Sequence, residues 1–251
     1  LLPALPGPAA GRVAAAATPI RVVVIVGPAG SSITSSYRTE AQEMANAAKK
    51  YTSDVVTLFS PNATWAAAKA ALQGANIVIY MGHGNGFPSP YSSTLRPESQ
   101  DGLGLNPYAG SGDVTTQYWG ESYLASDVQL APNAIVLLHH LCYASGNGEP
   151  GMAEPALSVA QQRVDNMAAG WLAAGARSVL VDAHYGNTWY IDQLFTSHRT
   201  IDALWRAAPS VQGHFTAFPS VRTPGMTAQM DPKATTSGFY RALTGDLRHT
   251  T

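Results

Sequence analysis

The chain has 251 residues, of which 45% are hydrophobic and only 12% are charged, and its formal net charge is −1. A chain of this length can bury a full α/β core within one domain. No cluster of lysines or arginines occurs, which argues against a nucleic-acid partner or an anionic membrane surface. The longest apolar runs are too short to cross a bilayer. We therefore expect a soluble protein with no membrane span and no nucleic-acid partner.

The first residues and the cysteine content bear on where the protein acts. Residues 1–18 are mostly Ala, Pro and Gly without helical periodicity, which predicts a flexible or docked arm. The chain starts at Leu1 and lacks an initiator methionine, as after removal of a signal peptide. Together with the low lysine content, this predicts a secreted or cell-surface protein. Cys142 is the only cysteine, so no disulfide can form within the chain.

Predicted strands and helices alternate in the first part of the chain. Pro19 to Val26 is β-branched and nearly continuously apolar, which is typical of a buried parallel strand. Apolar residues then recur at helical spacing from Ala41 to Ala48. Asp54 to Phe59 is a second strand, and Trp65 to Leu72 is a second helix. Asn76 to His83 is a third strand, and this βαβαβ order predicts a parallel sheet with right-handed crossovers.

Periodicity disappears over residues 85–132. A loop this long inside a compact domain is usually functional or an inserted subdomain. We expect it to cover a binding site or to form an assembly surface, because it is rich in aromatic residues. These are Phe87, Tyr91, Tyr108, Tyr118, Trp119 and Tyr123.

The second part of the chain begins with a strand that is apolar from Ala134 to Leu138, too continuous for a one-sided strand. It is followed by a helix that starts at Glu154 or Pro155 and by a strand centred on residues 178–181. Residues 189–208 are then helical, in one or two pieces. Residues 209–251 are rich in Thr, Pro, Gly and Ser and predict a surface-wrapping segment or a linker. The predicted α/β domain therefore spans residues 19–208, with residues 85–132 inserted.

Two of the predicted strands end in residues that suit nucleophilic catalysis. One ends in His83 and Gly84, and the other leads to Cys142. Ligands of parallel sheets bind at the carboxyl ends of the strands, so neighbouring strands would bring imidazole and thiol together. An imidazole can accept the thiol proton and later donate it to a leaving group. With the backbone N–H groups of Cys142 and Gly84 polarising a carbonyl, this predicts acyl transfer through a thioester.

An apolar strand ending in His-Gly, followed by one ending in Cys, resembles the clan of cysteine peptidases that includes caspases, gingipains, legumains and clostripain. Gly170 to Val181 also resembles the helix-to-strand passage after the catalytic cysteine in secreted bacterial branches of that clan. The resemblance covers residues 19–208. It implies an α/β fold, a caspase-like three-layer α/β/α sandwich with a mostly parallel central sheet, a His83/Cys142 dyad, and Gly84 in the oxyanion hole.

The resemblance does not extend to substrate specificity. The caspase pentapeptide Gln-Ala-Cys-Arg-Gly is replaced here by His-Leu-Cys-Tyr-Ala at residues 140–144. No family pocket for an acidic or a basic side chain can therefore be transferred residue by residue.

Four further residues are candidates for substrate binding. His139 and His140 point to opposite faces of their strand, so at most one can lie beside Cys142. Glu149 follows in a turn, where it is either a pocket charge or a turn residue. Asp182 and His184 follow the next strand and would either line the crevice or cap the strand. The candidates are His140, Glu149, Asp182 and His184.

Metal and nucleotide sites are poorly supported. A site of His83, His140 and Cys142 lacks the ligand spacing of known zinc sites. The glycines at positions 82, 84 and 86 lack the acidic partner and the lysine of phosphate-binding loops. We therefore expect neither a metal nor a cofactor.

The predicted fold is compatible with two different functions. The first is a secreted caspase-like cysteine endopeptidase that acts on a peptide or protein substrate. The second is a catalytically silent caspase-like module for extracellular or cell-surface self-assembly, in which Cys142 is an inert buried thiol. In that case the aromatic loop or the terminal arms would form a homo-oligomer.

Overall fold

The computed structural model describes residues 19–250, and the predicted arm over residues 1–18 lies outside them. The strands are β1 (Val22–Val26), β2 (Val55–Phe59), β3 (Ile77–Met81), β4 (Leu103–Leu105), β5 (Gln117–Trp119), β6 (Ala134–His139), β7 (Ala176–Asp182), β8 (Thr216–Pro219), β9 (Thr227–Met230) and β10 (Arg241–Gly245). The helices are α1 (Ser31–Ala48), α2 (Trp65–Leu72), α3 (Glu121–Asp127), α4 (Leu157–Ala173), α5 (Trp189–Thr196) and α6 (Ile201–Arg206).

Eight strands form one central sheet in the order β2-β1-β3-β6-β7-β10-β9-β8. The first five of these pair in parallel, which confirms the mostly parallel sheet predicted from the βαβ pattern. In the pairing of β3 with β6, Met81 lies opposite His139. The two strands therefore end at the same height, and the residues that follow them meet at one edge.

Helices cover both faces of the sheet, so the architecture is an α/β sandwich. Alternate side chains of a strand point to opposite faces, and here both sets are apolar and buried. Helices α2, α3 and α4 pack on the face that carries Val78 and Val136. Helices α1, α5 and α6 pack on the face that carries Ile79 and Leu137. Burial on two sides explains why these strands are continuously apolar in the sequence.

Residues 209–251 differ from the predicted wrapping segment or linker. They form β8, β9 and β10, which extend the central sheet through antiparallel pairing. Their sequences contain no apolar run, and β10 begins with the fully buried Arg241. The guanidinium of Arg241 pairs with buried Asp231 and lies 4.5 Å from the ring centroid of Trp205. These partners make the burial of a charged strand residue possible.

The inserted residues 85–132 contain regular structure that the sequence pattern did not show. Strands β4 and β5 form an antiparallel pair, and α3 follows them. Trp119 stacks on Trp65 of α2 with a centroid distance of 5.4 Å, and Tyr123 meets Trp65 edge-on at 5.7 Å. Tyr91 and Tyr108 remain 67% and 68% exposed. Part of the aromatic set therefore anchors the insertion, and part of it faces solvent.

Candidate active site

A cavity of about 480 Å³ opens at the carboxyl ends of β1, β3, β6 and β7. Its wall contains Ala29 after β1, His83 after β3, Cys142 after β6 and His184 after β7. This is the edge at which parallel sheets bind their ligands. The structure thus brings the imidazole and the thiol predicted from the sequence to one cavity.

Gly84 lies directly against the backbone of Cys142. A Cβ atom at Gly84 would be 2.0 Å from the carbonyl oxygen and 3.0 Å from the amide nitrogen of Cys142. Any side chain at this position would therefore displace one of the two loops. The N–H groups of Gly84 and Cys142 donate no hydrogen bond to another residue within the described range 19–250. Both groups are free to bind an oxyanion.

His83 and Cys142 are both neutral in the resting cavity. Burial lowers the pKa of His83, and the Glu149 carboxylate partly opposes this shift. Burial raises the pKa of the Cys142 thiol, and the negative charge of Glu149 raises it further, while the backbone N–H of Cys142 opposes both. Among the residues that the structure describes, no hydrogen bond within 4.0 Å joins the His83 ring to the Cys142 sulfur. A proton could pass directly between them only if the two atoms came closer together.

Helix α1 forms one wall of the cavity. Tyr37 stacks on His140 with ring centroids 4.8 Å apart, and His140 Nε2 lies 2.8 Å from Glu40 Oε2. Burial, followed by the charges of Cys142 and Glu40, raises the pKa of Tyr37 to about 12. Tyr37 therefore keeps its O–H donor at neutral pH, beside the thiol. Sequence reasoning missed Tyr37, although the i, i+4 spacing of Ile33 and Tyr37 places both on the face that lines the cavity.

The turn after Cys142 forms the opposite wall, and tyrosines hold it in place. The Tyr143 hydroxyl donates to Glu149 Oε1 at 2.6 Å, and the Tyr91 hydroxyl donates to Glu149 Oε2 at 2.8 Å. Since Tyr91 belongs to the inserted residues, this pair of bonds ties the insertion to the turn. The buried Arg163 lies behind the turn, 4.7 Å from the ring centroid of Tyr143.

Three of the four candidate substrate-binding residues line the cavity, namely His140, Glu149 and His184. Asp182 does not line it and is 1% exposed. Its Oδ1 accepts the backbone N–H groups of His184 and Tyr185 at 3.3 and 3.0 Å, which fixes the loop after β7. Asp182 therefore positions the cavity wall without facing a ligand.

Strand β6 ends at His139, and His140 follows it with a left-handed backbone (φ 61°), so the predicted alternation of the two histidines along one strand does not apply. His139 is 1% exposed, and its Nδ1–H donates to the Tyr185 carbonyl oxygen at 2.7 Å. His139 and Asp182 thus hold the backbone of Tyr185 from two sides.

Within residues 19–250, no three His, Cys, Asp or Glu side chains are arranged to hold a metal ion. No helix in this range combines the length and the apolar character needed to cross a membrane. No protein-family model matches the chain, and no curated protein is significantly similar to it.

Proposed function

We propose that the protein is a caspase-like cysteine endopeptidase that a bacterium exports to act on peptides or proteins outside the cell. The observation that carries the proposal is the cavity that Cys142 and His83 share, together with the N–H groups of Gly84 and Cys142, neither of which donates to another residue of the described range. The parallel β3 and β6, which are neighbours and end at one height, support the caspase-like assignment.

The reaction follows from these groups. A bound peptide places its scissile carbonyl at Cys142, His83 accepts the S–H proton, and the thiolate attacks the carbonyl carbon. The oxygen takes up negative charge and accepts hydrogen bonds from the N–H groups of Gly84 and Cys142. The imidazolium of His83 then donates its proton to the leaving amine, and a thioester remains. Water attacks the thioester with His83 as base, which releases the acid and restores the thiol.

The neutral states of Cys142 and His83 favour a second function. Burial shifts the pKa of Cys142 upwards and that of His83 downwards, and both shifts oppose a resting thiolate–imidazolium pair. A catalytically silent module that assembles at the cell surface would tolerate this arrangement. The exposed Tyr91 and Tyr108 would serve as contacts in such an assembly.

Two substitutions distinguish the peptidase from the silent module. Cys142→Ala and His83→Gln should each abolish cleavage of an internally quenched peptide library, with losses of roughly 10²-fold or more. Sedimentation velocity should give the same particle for both variants and the wild type. His198→Asn is the matched control, because His198 is exposed and does not line the cavity.

The opposite results would support the silent module. Wild-type protein would cleave no peptide in the library, and a peptidyl acyloxymethyl ketone would modify the native thiol no faster than the unfolded one. It would also sediment as large assemblies that the Cys142→Ala variant still forms.

A further inference from the structure

The ionisable side chains that line the cavity leave it without a fixed positive charge. Glu149 and Glu154 face it together with His83, His140 and His184. No lysine or arginine of the described residues contributes to the lining. Glu40, behind His140, adds a further carboxylate at 2.8 Å from the ring.

Two tyrosines hold the Glu149 carboxylate in place. Its two oxygens each accept one tyrosine O–H bond, and each keeps a further lone-pair direction for another donor. Phenols are neutral donors, so they orient the carboxylate without cancelling its charge. The cation behind the turn is Arg163, which donates to the carbonyl oxygens of Pro88 and Asn147 at 2.7 and 2.8 Å. Arg163 is buried and does not line the cavity.

The charge of Glu149 reaches both reacting side chains, since it acts on the thiol of Cys142 and on the ring of His83. Glu149, Cys142 and His83 also line the same cavity, so a group bound to Glu149 lies in the cavity that holds the thiol. Ile33 and Met152 line the same cavity and are 49% and 39% exposed. Their apolar surfaces suit the aliphatic stem of a long side chain with a charged end.

We propose that this cavity selects substrates with a cationic side chain, whose guanidinium or ammonium group binds the Glu149 carboxylate; the inference rests on the peptidase function proposed above. The two tyrosines fix the orientation of the carboxylate in advance, which suits the planar fork of an arginine. The same contact would also activate the nucleophile. A bound cation offsets the negative charge of Glu149, which otherwise disfavours the thiolate of Cys142.

The first experiment measures selectivity. Matched fluorogenic peptides that differ only in arginine or citrulline before the scissile bond separate charge from shape, because citrulline is the neutral isostere. Wild-type kcat/KM should favour arginine by at least about tenfold, and Glu149→Gln should remove this preference, measured as the ratio of kcat/KM for the two peptides. Glu98→Gln removes an equal charge from an exposed residue outside the lining and should keep the preference. A preference for citrulline, or an arginine preference that survives Glu149→Gln, would overturn the inference.

The second experiment needs no turnover and so distinguishes the two proposals. The rate at which iodoacetamide modifies Cys142 is measured with N-acetyl-arginine amide or N-acetyl-citrulline amide at millimolar concentration. The arginine compound should accelerate the reaction of the wild type roughly threefold through the charge of Glu149, and should have no effect on Glu149→Gln. Equal rates with both compounds would refute the cation site. Acceleration in a protein that cleaves no peptide would refute the peptidase and retain the site.

Discussion

Replacing Gly84 by alanine tests whether the two loops that carry the proposed oxyanion site are in contact. The added Cβ would be 2.0 Å from the Cys142 carbonyl oxygen and 3.0 Å from both its carbonyl carbon and its amide nitrogen. All three neighbours are backbone atoms, so no side-chain rotation relieves the overlap. The Cys142 loop, or the loop of His83 and Gly84, would have to move by roughly 1 Å or more to restore ordinary van der Waals contact.

The size of that displacement determines how much stability and how much activity the variant should lose. Overpacking in a closely packed region costs about 1–3 kcal/mol in the free energy of unfolding. A misplacement of about 1 Å between nucleophile and substrate costs roughly 10²-fold in rate. We therefore expect Gly84→Ala to lower kcat/KM much more than its modest loss of stability would suggest.

Urea unfolding followed by tryptophan fluorescence gives the stability, and cleavage of the best library peptide gives kcat/KM. Gly148→Ala is the stability control, because its Cβ would come no closer than 3.4 Å to any atom. If Gly84→Ala unfolds at the wild-type urea concentration and cleaves at the wild-type rate, the loops are not in contact and the proposed oxyanion site is wrong.

Three further predictions concern ionisable groups. Burial raises the pKa of Cys142, so iodoacetamide should modify the native thiol more slowly than the unfolded one at pH 7, and the rate should still rise above pH 9.0, the usual thiol value. Burial raises the pKa of Asp101 well above its usual value. As pH rises, the unfolded chain therefore loses this proton at a lower pH than the folded protein does. Between the unfolded-state and the folded-state pKa, the free energy of unfolding falls by at most about 1.4 kcal/mol per pH unit. Asp101→Asn should remove that slope in urea titrations at pH 4 to 8, and an unchanged slope would contradict the assignment. Arg241→Met leaves Asp231 buried without its cation and should cost about 3–5 kcal/mol in urea unfolding, whereas a loss below about 1 kcal/mol would show that the pair is not buried in solution.

The sequence predicted the parallel half of the sheet because its strands are buried on both faces. A strand such as β6, with six buried residues in a row, must be apolar at every position, and that pattern is visible without any partner. The same reasoning placed His83 and Cys142 at the ends of two strands but did not show that these strands are neighbours. The strand register, in which Met81 faces His139, then brings them to one cavity.

The antiparallel half could not be predicted in this way. In β10, Arg241 occupies a fully buried position because Asp231 and Trp205, 10 and 36 residues away, contact its guanidinium. A pattern of apolar residues cannot show a strand whose burial depends on such partners. The start of α1 was missed for a local reason, since its first turns are rich in Ser and Thr, which favour helices weakly.

The residues around the cavity could not be predicted from the sequence either, but for a different reason. Tyr37 of α1 lines the cavity, whereas Tyr91 of the insertion and Tyr143 of the turn after β6 hold Glu149, and the sheet brings these three segments to one edge. Each residue taken alone is an ordinary surface or core tyrosine. Their contribution appears only in the contacts that they make with His140 and Glu149.

The C-terminal strands belong to the functional domain, because they complete the cavity. Phe239 and Tyr240 line it, and the Ser145 hydroxyl of the Cys142 turn donates to the Phe239 carbonyl oxygen at 2.5 Å. The Tyr240 carbonyl oxygen accepts the N–H of Ala183 at 2.8 Å, at the start of the loop that carries His184. Removing residues 209–251 would therefore expose one edge of β7 and also release two of the loops that surround the thiol. A boundary at residue 208 would divide the site itself.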